Sequence, residues 1–278
     1  MKLSRFSRYV DVGGIRTHYF DVGSGPIVVL LHSGEFGASA ELSWEHNIPT
    51  LAERFRVIAP DWLGFGGTDK LRDFVAGSDR MLRHLAAFLR TIAIDRAAFV
   101  GTSFGGTSLV KEAARPDCRL PISRMAIISG GGFMPYNEDR RALVDYDGTP
   151  DGMRRILRAL FHDERWIDDE DYVARRVAAS LEPGAWEAVA SARLKPPSAK
   201  PPMNFGQEDT TSYERIRVPT LALAGANDRL REPGYEKVLH RIPDVEVHVI
   251  ADAGHLVNIE KSAVVNDHLL RFLATKLE

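Results

Sequence analysis

The stretch Gly101-Thr102-Ser103-Phe104-Gly105-Gly106 joins an apolar run, Ala97-Ala98-Phe99-Val100, to a helix-like segment, Thr107 to Arg115. A serine in this G-x-S-x-G setting sits on a sharp strand-to-helix turn that lifts its hydroxyl above a sheet, where flanking side chains larger than glycine would collide with neighbouring elements. The Phe104 amide, at the start of the helix, is then aimed at the charge that develops on an attacked carbonyl oxygen. A serine hydroxyl needs a base, and the base needs an orienting acid. Two loops offer them: Gly225-Ala226-Asn227-Asp228 after the run Thr220 to Ala224, and Ala251-Asp252-Ala253-Gly254-His255 after Val245 to Ile250. Ser103, Asp228 and His255 are thus the expected nucleophile, orienting acid and base. Asp252 competes for the acid's place, but three residues before His255 its expected role is to stabilise the turn. A second oxyanion donor is expected in His32-Ser33-Gly34-Glu35-Phe36-Gly37-Ala38, where Gly34 can present its amide unobstructed. His32 itself reads as a buried loop histidine bonded to backbone, and Asp61-Trp62-Leu63-Gly64-Phe65-Gly66-Gly67-Thr68-Asp69 as scaffold beneath the elbow.

The positioning elements read as an α/β domain. Ile15 to Val22 alternates apolar and polar residues, and Ile27-Val28-Val29-Leu30-Leu31 is a continuous β-branched and aliphatic run, as a strand buried on both faces requires. Val57-Ile58-Ala59, Ala97 to Val100, Met125 to Ile128, Thr220 to Ala224 and Val245 to Ile250 add further strands. Helical patterns such as Arg80 to Ile94, and a closing one with Val264, Val265, Leu269, Phe272 and Leu273 apolar, lie between or after them. This alternation predicts a mostly parallel sheet of about eight strands with helices on both faces. All three candidate residues fall just past the carboxyl ends of strands, where open sheets place their ligands. From about Phe133 to Gln207 the pattern is helical only, clearest in Met153 to Leu160 and Asp169 to Ala179. Residues 134–207 are therefore expected as a helical cap inserted into a core of 1–133 and 208–278, covering Ser103 with Phe161, Trp166 and Trp186. Pro196-Pro197-Ser198-Ala199-Lys200-Pro201-Pro202 reads as a stiff strap back to the core.

Composition narrows the partners. The 278 residues are 44% hydrophobic and 27% charged, and 36 basic against 38 acidic side chains give −2, with no like-charge block to suggest nucleic acid or a membrane surface. One cysteine, Cys118, excludes an intrachain disulfide and a multi-thiolate zinc site. The first eight residues lack an apolar signal core and no run approaches a membrane span, so a cytoplasmic location is expected. A small-molecule substrate is the expected partner, a homodimer is left open, and a serine–histidine–aspartate set requires no metal or organic cofactor.

Together, the elbow, the His32-Ser33-Gly34 loop, the Asp61…Gly64-Phe65-Gly66 loop, Asp228 and the Gly254-His255 pair resemble the α/β-hydrolase superfamily over essentially the whole chain. The helical cap, Gly37-Ala38 and the triple Gly130-Gly131-Gly132 look like the meta-cleavage product hydrolases, which cleave carbon–carbon bonds in 2-hydroxy-6-oxo-dienoates during aromatic catabolism. That resemblance implies a substrate-contacting arginine in the cap. Trp166-Ile167-Asp168-Asp169-Glu170 followed by Ala174-Arg175-Arg176 points to Arg175, whose planar fork suits an anionic dienoate; the alternative is a surface i,i+4 pair with Asp171. Ser33, Leu256 and Trp166 are the other expected substrate contacts. The chain departs from the family pattern in having Ser33, Glu35 and Phe36 in the oxyanion loop, Thr102 before the serine and Leu256 after the histidine. A buried, unpaired Glu35 would oppose an anionic substrate. The rival functions on the same residues are a carboxylesterase or lactonase, a cofactor-free haloperoxidase-like enzyme, and a ligand receptor without turnover. Epoxide hydrolase and haloalkane dehalogenase chemistry uses an aspartate nucleophile, and position 103 is serine.

Overall fold

The computed structural model describes residues 1–191 and 206–275. Its strands are β1 (Ser7–Asp11), β2 (Arg16–Val22), β3 (Ile27–Leu31), β4 (Arg56–Pro60), β5 (Ala97–Thr102), β6 (Ile122–Ile128), β7 (Thr220–Gly225) and β8 (Val245–Ile250). They form one sheet in the order β1-β2-β4-β3-β5-β6-β7-β8. From β4 to β8 every pairing is parallel, while β1 and β2 form an antiparallel hairpin whose second strand runs antiparallel to β4. Strand β1 was not among the runs legible in the sequence, because Ser7-Arg8-Tyr9-Val10-Asp11 lies at the sheet edge with no fully buried residue.

The helices are α1 (Ala40–Trp44), α2 (Ile48–Leu51), α3 (Ser78–Thr91), α4 (Phe104–Ala113), α5 (Glu138–Ala142), α6 (Pro150–Leu160), α7 (Arg165–Asp168), α8 (Glu170–Ser180), α9 (Ala185–Ala190), α10 (Val257–Glu260) and α11 (Ser262–Ala274). The continuous apolar strands have two covered faces, and alternate residues serve each. Val29, Leu31 and Phe99 join Met81, Leu85 and Phe88 of α3 and Leu109 of α4, whereas Val28, Leu30 and Val100 join Trp44, Ile48 and Leu51 of α1 and α2 and Leu269 of α11. Among the described residues, no helix is long and apolar enough to cross a membrane.

Helices α5 to α9 all lie between β6 and β7, and α6 to α9 with their flanking loops build a third apolar cluster. Helix α6 begins where Thr149 accepts a hydrogen bond from the Gly152 amide, with Pro150 in its first turn. It buries Met153, Ile156, Leu157 and Leu160 at i, i+3, i+4 and i+7. The partners of this stripe include Phe36 from the loop after β3 and Leu256 beside His255, so the helical layer packs on the loops that carry the candidate site. Leu157→Ala is expected to cost about 2–5 kcal/mol, read as a fall in denaturation midpoint, with m unchanged if only packing is lost. The proline-rich strap of 196–202 lies outside the described residues.

Candidate active site

Ser103 occupies the turn between β5 and α4 with φ +52°, a left-handed conformation that costs a non-glycine residue about 1–2 kcal/mol. The turn is held from both sides. A Cβ on Gly105 would lie 2.3 Å from the Leu31 carbonyl oxygen, and one on Gly101 2.6 Å from the Gly105 backbone, so glycine lets α4 start against the strands. Thr102, in the place before the serine, donates its hydroxyl to Asn258 Oδ1 at 2.9 Å, and Asn258 donates to the Ser43 carbonyl at 2.6 Å. This buried bridge ties the elbow to α10 and α1.

The three residues expected to act together are brought together. His255 Nε2 is 2.7 Å from Ser103 Oγ, and His255 Nδ1 is 2.7 Å from Asp228 Oδ2. A neutral imidazole whose Nδ1–H is held by a carboxylate presents the Nε2 lone pair to the serine hydroxyl. The other Asp228 oxygen accepts the Leu230 amide at 2.9 Å. Burial alone would raise the Asp228 pKa, but His255 and Arg231 outweigh it and hold the carboxyl below its ordinary range. The rival acid, Asp252, is exposed in the turn after β8 with φ +50°. Only Asp228, of the two, is bonded to the imidazole.

Gly34 and Phe104 are neighbours: a Cβ on Gly34 would lie 2.9 Å from Phe104 Cβ. Phe104 is the first residue of α4, so no helical carbonyl can take its N–H, and the Gly34 N–H finds no acceptor among the described residues. Two unclaimed amides therefore stand side by side next to Ser103. The loop behind them is fixed by His32, fully buried, which donates from Nδ1 to the Ser33 carbonyl at 2.6 Å and accepts the Trp62 amide on Nε2 at 3.0 Å. Trp62 Nε1 in turn donates to the His32 carbonyl. Asp61 accepts from the Ala40 and Gly67 amides and from His18, fastening the 61–69 loop beneath.

Burial pushes the His32 pKa down from 6.5, and the attraction of Asp61 only partly offsets it. The unfolded chain therefore binds a proton that the folded chain does not, between the depressed folded value and 6.5. Stability carried by His32 is complete above pH 6.5 and is lost as pH falls through that window. The melting temperature is expected to decline below this pH, and His32→Asn to flatten the decline; an unchanged slope in the variant would assign it to other groups.

Arg175 requires a correction. It does not enter the site: its side chain is 47% exposed and its Nη2 donates to Glu45 Oε2 at 2.7 Å, a surface pair joining α8 to the end of α1. Its partner is Glu45 rather than Asp171. The buried arginine is the next residue. On α8 the inward face carries Tyr172, Val173, Arg176 and Ser180, spaced by helical turns, and position 175 is turned about 100° away. Arg176 is fully buried, and its Nη2 donates to Glu35 Oε1 at 2.5 Å, an oxygen that also accepts from Ser33 Oγ at 3.0 Å. Among the described residues its Nε and Nη1 have no hydrogen-bond partner, and the guanidinium lies 5.9 Å from the Tyr172 ring centre. Burial opposes its charge, yet Tyr172 and Glu35 more than compensate and the pKa rises. Glu35 is likewise held ionised: burial would raise its pKa, and Arg176 brings it below the ordinary value. Glu35 is therefore buried but paired, and it does not confront a substrate as a bare anion.

The remaining expected contacts divide. Ser33 is buried as a donor to Glu35, and Leu256 is buried among Phe36, Leu160 and Phe161 with its amide donating to the Leu160 carbonyl. Trp166 stacks on Phe161 and meets His46, lining a cavity of about 410 Å³ on the flank between α7 and α10, while Trp186 stacks on Phe36. Helix α8 reaches the oxyanion loop directly, since a Cβ on Gly37 would lie 2.4 Å from the Arg176 carbonyl oxygen.

Residues 28–268 match the family model described as the alpha/beta hydrolase family. The chain belongs to this family. As an alpha/beta hydrolase it is 32% identical to the 2-hydroxy-6-oxo-6-(2'-aminophenyl)hexa-2,4-dienoic acid hydrolase of Metapseudomonas resinovorans, over 98% of this chain and 92% of that one. It is 31% identical to the 2-hydroxy-6-oxo-2,4-heptadienoate hydrolase of Pseudomonas putida, over 96% and 97% of the two chains. Among solved structures, a meta-cleavage product hydrolase from Pseudomonas fluorescens IP01 superposes with a TM-score of 0.84 at 26% identity, covering 97% of this chain and 98% of its own.

Proposed function

We propose that this alpha/beta hydrolase cleaves the carbon–carbon bond beside the ketone of a 2-hydroxy-6-oxo-dienoate, the substrate class named for its relatives. Ser103 is the nucleophile, His255 the general base and then acid, Asp228 the group that orients His255, and the Gly34 and Phe104 amides the oxyanion donors. The observation that carries the substrate class is Arg176: a buried guanidinium on α8 whose Nε and Nη1 have no hydrogen-bond partner among the described residues, paired with Glu35 of the oxyanion loop and lying beside Tyr172. A buried cation with donors to spare asks for an anionic oxygen, which a dienoate offers and a neutral ester does not.

The chemistry balances on one water. His255 carries the 2-hydroxyl proton to C5, which converts the 2-hydroxydiene into its 2-oxo form. As Ser103 Oγ adds to C6, His255 takes the serine proton; collapse of the resulting oxyanion breaks the C5–C6 bond, whose electron pair passes along C5 to C2 onto the C2 oxygen, and the imidazolium protonates that oxygen to give the 2-hydroxypentadienoate. His255 next deprotonates water, which releases the acyl group from Ser103 as a carboxylic acid. Helices α5 to α9, the proposed cap of residues 134–207, keep bulk water from the acylated serine; support comes from the Leu160 carbonyl, which accepts the His255 and Leu256 amides.

Turnover of such a dienoate in H₂¹⁸O is expected to place one label in the carboxylic acid and none in the pentadienoate. Failure to form a pentadienoate would overturn the reading. Gly34→Ala is expected to force the two oxyanion amides apart and lower kcat by roughly 10²-fold, the size of one lost donor; full activity would remove Gly34 from the oxyanion hole.

A further inference from the structure

Strand β8 pairs with β7 on one side and is the last strand of the sheet. Glu246 and His248, two residues apart, project from the same face of this edge strand. Helix α11 lays His268 against them, so that the two imidazole centres are 4.3 Å apart with planes tilted by 47°. Glu246 Oε1 is hydrogen-bonded to His248 Nε2, and one donor atom from each of the three residues lies within 4.8 Å of the other two. Two imidazoles and a carboxylate, all reachable from solvent, are the donor set of a borderline divalent cation, and water can complete a tetrahedral shell.

We propose that Glu246, His248 and His268 form a surface site for zinc or copper(II). The site joins the strand that leads into the His255 loop to the helix that packs across the sheet, so occupancy fastens α11 to β8. Titration of the full chain with ZnCl₂ is expected to show saturable one-to-one binding and a melting temperature that rises with zinc concentration. Copper(II) should bind more tightly than zinc, and magnesium should not bind. His268→Ala and His248→Ala should each weaken zinc binding at least tenfold while leaving the metal-free melting temperature within a few degrees of the parent. Affinity unchanged in both variants, or no saturable binding in the parent, would overturn the site.

A different observation concerns Glu260, buried at the end of α10. Its carboxylate takes three backbone amides, His162 at 2.9 Å and Asp163 at 2.5 Å on Oε1 and Gly254 at 2.6 Å on Oε2. His162 and Asp163 follow α6, and Gly254 precedes His255. The Leu160 carbonyl answers from the other side, accepting the His255 amide at 2.7 Å and the Leu256 amide at 3.2 Å. A Cβ on Gly254 would lie 2.7 Å from both the His162 nitrogen and the Leu160 oxygen, so the two segments touch backbone to backbone. We infer that Glu260 is a positioning residue that sets His255 by locking its loop to the helical layer, an inference that rests on the catalytic role proposed for His255. Glu260→Gln replaces one acceptor oxygen by an NH₂ group facing an amide N–H. The substitution is expected to lower kcat at least tenfold with little change in KM. Asn266→Ala, which removes a buried amide of α11 bonded to Asn47 and the His46 carbonyl, is the control for lost stability alone and should leave kcat near the parent value. Amide exchange in the parent chain reads the lock without any activity: the His162, Asp163 and Gly254 amides should be protected to the level of the core. Rapid exchange at these amides, or equal loss of kcat in both variants at matched melting temperatures, would overturn the inference.

Discussion

Replacing Ser103 by alanine is expected to lower kcat by about 10³-fold or more while the chain stays folded, because the members of a nucleophile–base–acid set act as one unit. The side-chain hydroxyl contacts His255 Nε2, and removing it leaves no large cavity. Ser103→Gly should abolish turnover equally and yet raise stability by roughly 1 kcal/mol, since glycine adopts φ +52° without the clash that any Cβ meets there. Activity lost together with stability gained separates a chemical role for the residue from a structural one. Asp228→Asn should fall by a similar factor, because an amide would favour the tautomer that points a proton at the serine, whereas Asp252→Asn should stay near the parent. Loss in Asp252→Asn with full activity in Asp228→Asn would reassign the acid.

Arg176→Met is expected to have the largest effect on stability, about 3–5 kcal/mol, because it leaves Glu35 ionised, buried and without its cation. The double variant Glu35→Gln, Arg176→Met should recover part of this, and denaturant midpoints of the four chains give the coupling directly. The sign with pH follows from Glu35, whose folded pKa lies below the ordinary value: its stabilisation is present above the unfolded pKa and is lost as pH falls through the folded one. For catalysis, removing a charged hydrogen bond to an anionic substrate costs about 1.5–3 kcal/mol, or roughly 10- to 150-fold in kcat/KM. A neutral ester has no such bond to lose. Measured in the double variant, which keeps the interior free of an unpaired charge, the loss should be large for a dienoate and small for a p-nitrophenyl ester. Equal losses would make the pair a structural element of the helical layer.

The parts of the molecule legible in sequence were those that local chemistry fixes. The elbow could be read because strand, strained turn and helix follow one another within a dozen residues, and Asp228 and His255 because each falls in the first loop after a β-branched strand. Asp228 stands out in sequence by its chain order and its place past a strand end, while Asp252 lies only three residues before His255, and it is Asp228 that is hydrogen-bonded to Nδ1. Arg175 and Arg176 could not be ranked in the same way. The cap motif placed an arginine there, but which of two adjacent side chains turns inward depends on the phase of α8, and that phase is set by Tyr172, Val173 and Ser180 packing across to other segments. Glu35 was legible as a charge near the site and illegible as half of a pair, because its partner lies 141 residues away. Glu260 was missed for a related reason: its three partners are backbone amides, which leave no trace in side-chain pattern. Strand β1 escaped because edge strands need bury little.

The most direct measurement compares kcat/KM of the parent enzyme for a 2-hydroxy-6-oxo-dienoate, followed by loss of its visible absorbance, with that for a p-nitrophenyl ester of similar size. Preferred turnover of the dienoate, lost in Ser103→Ala, is the expected result. Ready hydrolysis of the ester with no turnover of any dienoate would contradict carbon–carbon bond cleavage and leave an esterase built on the same residues.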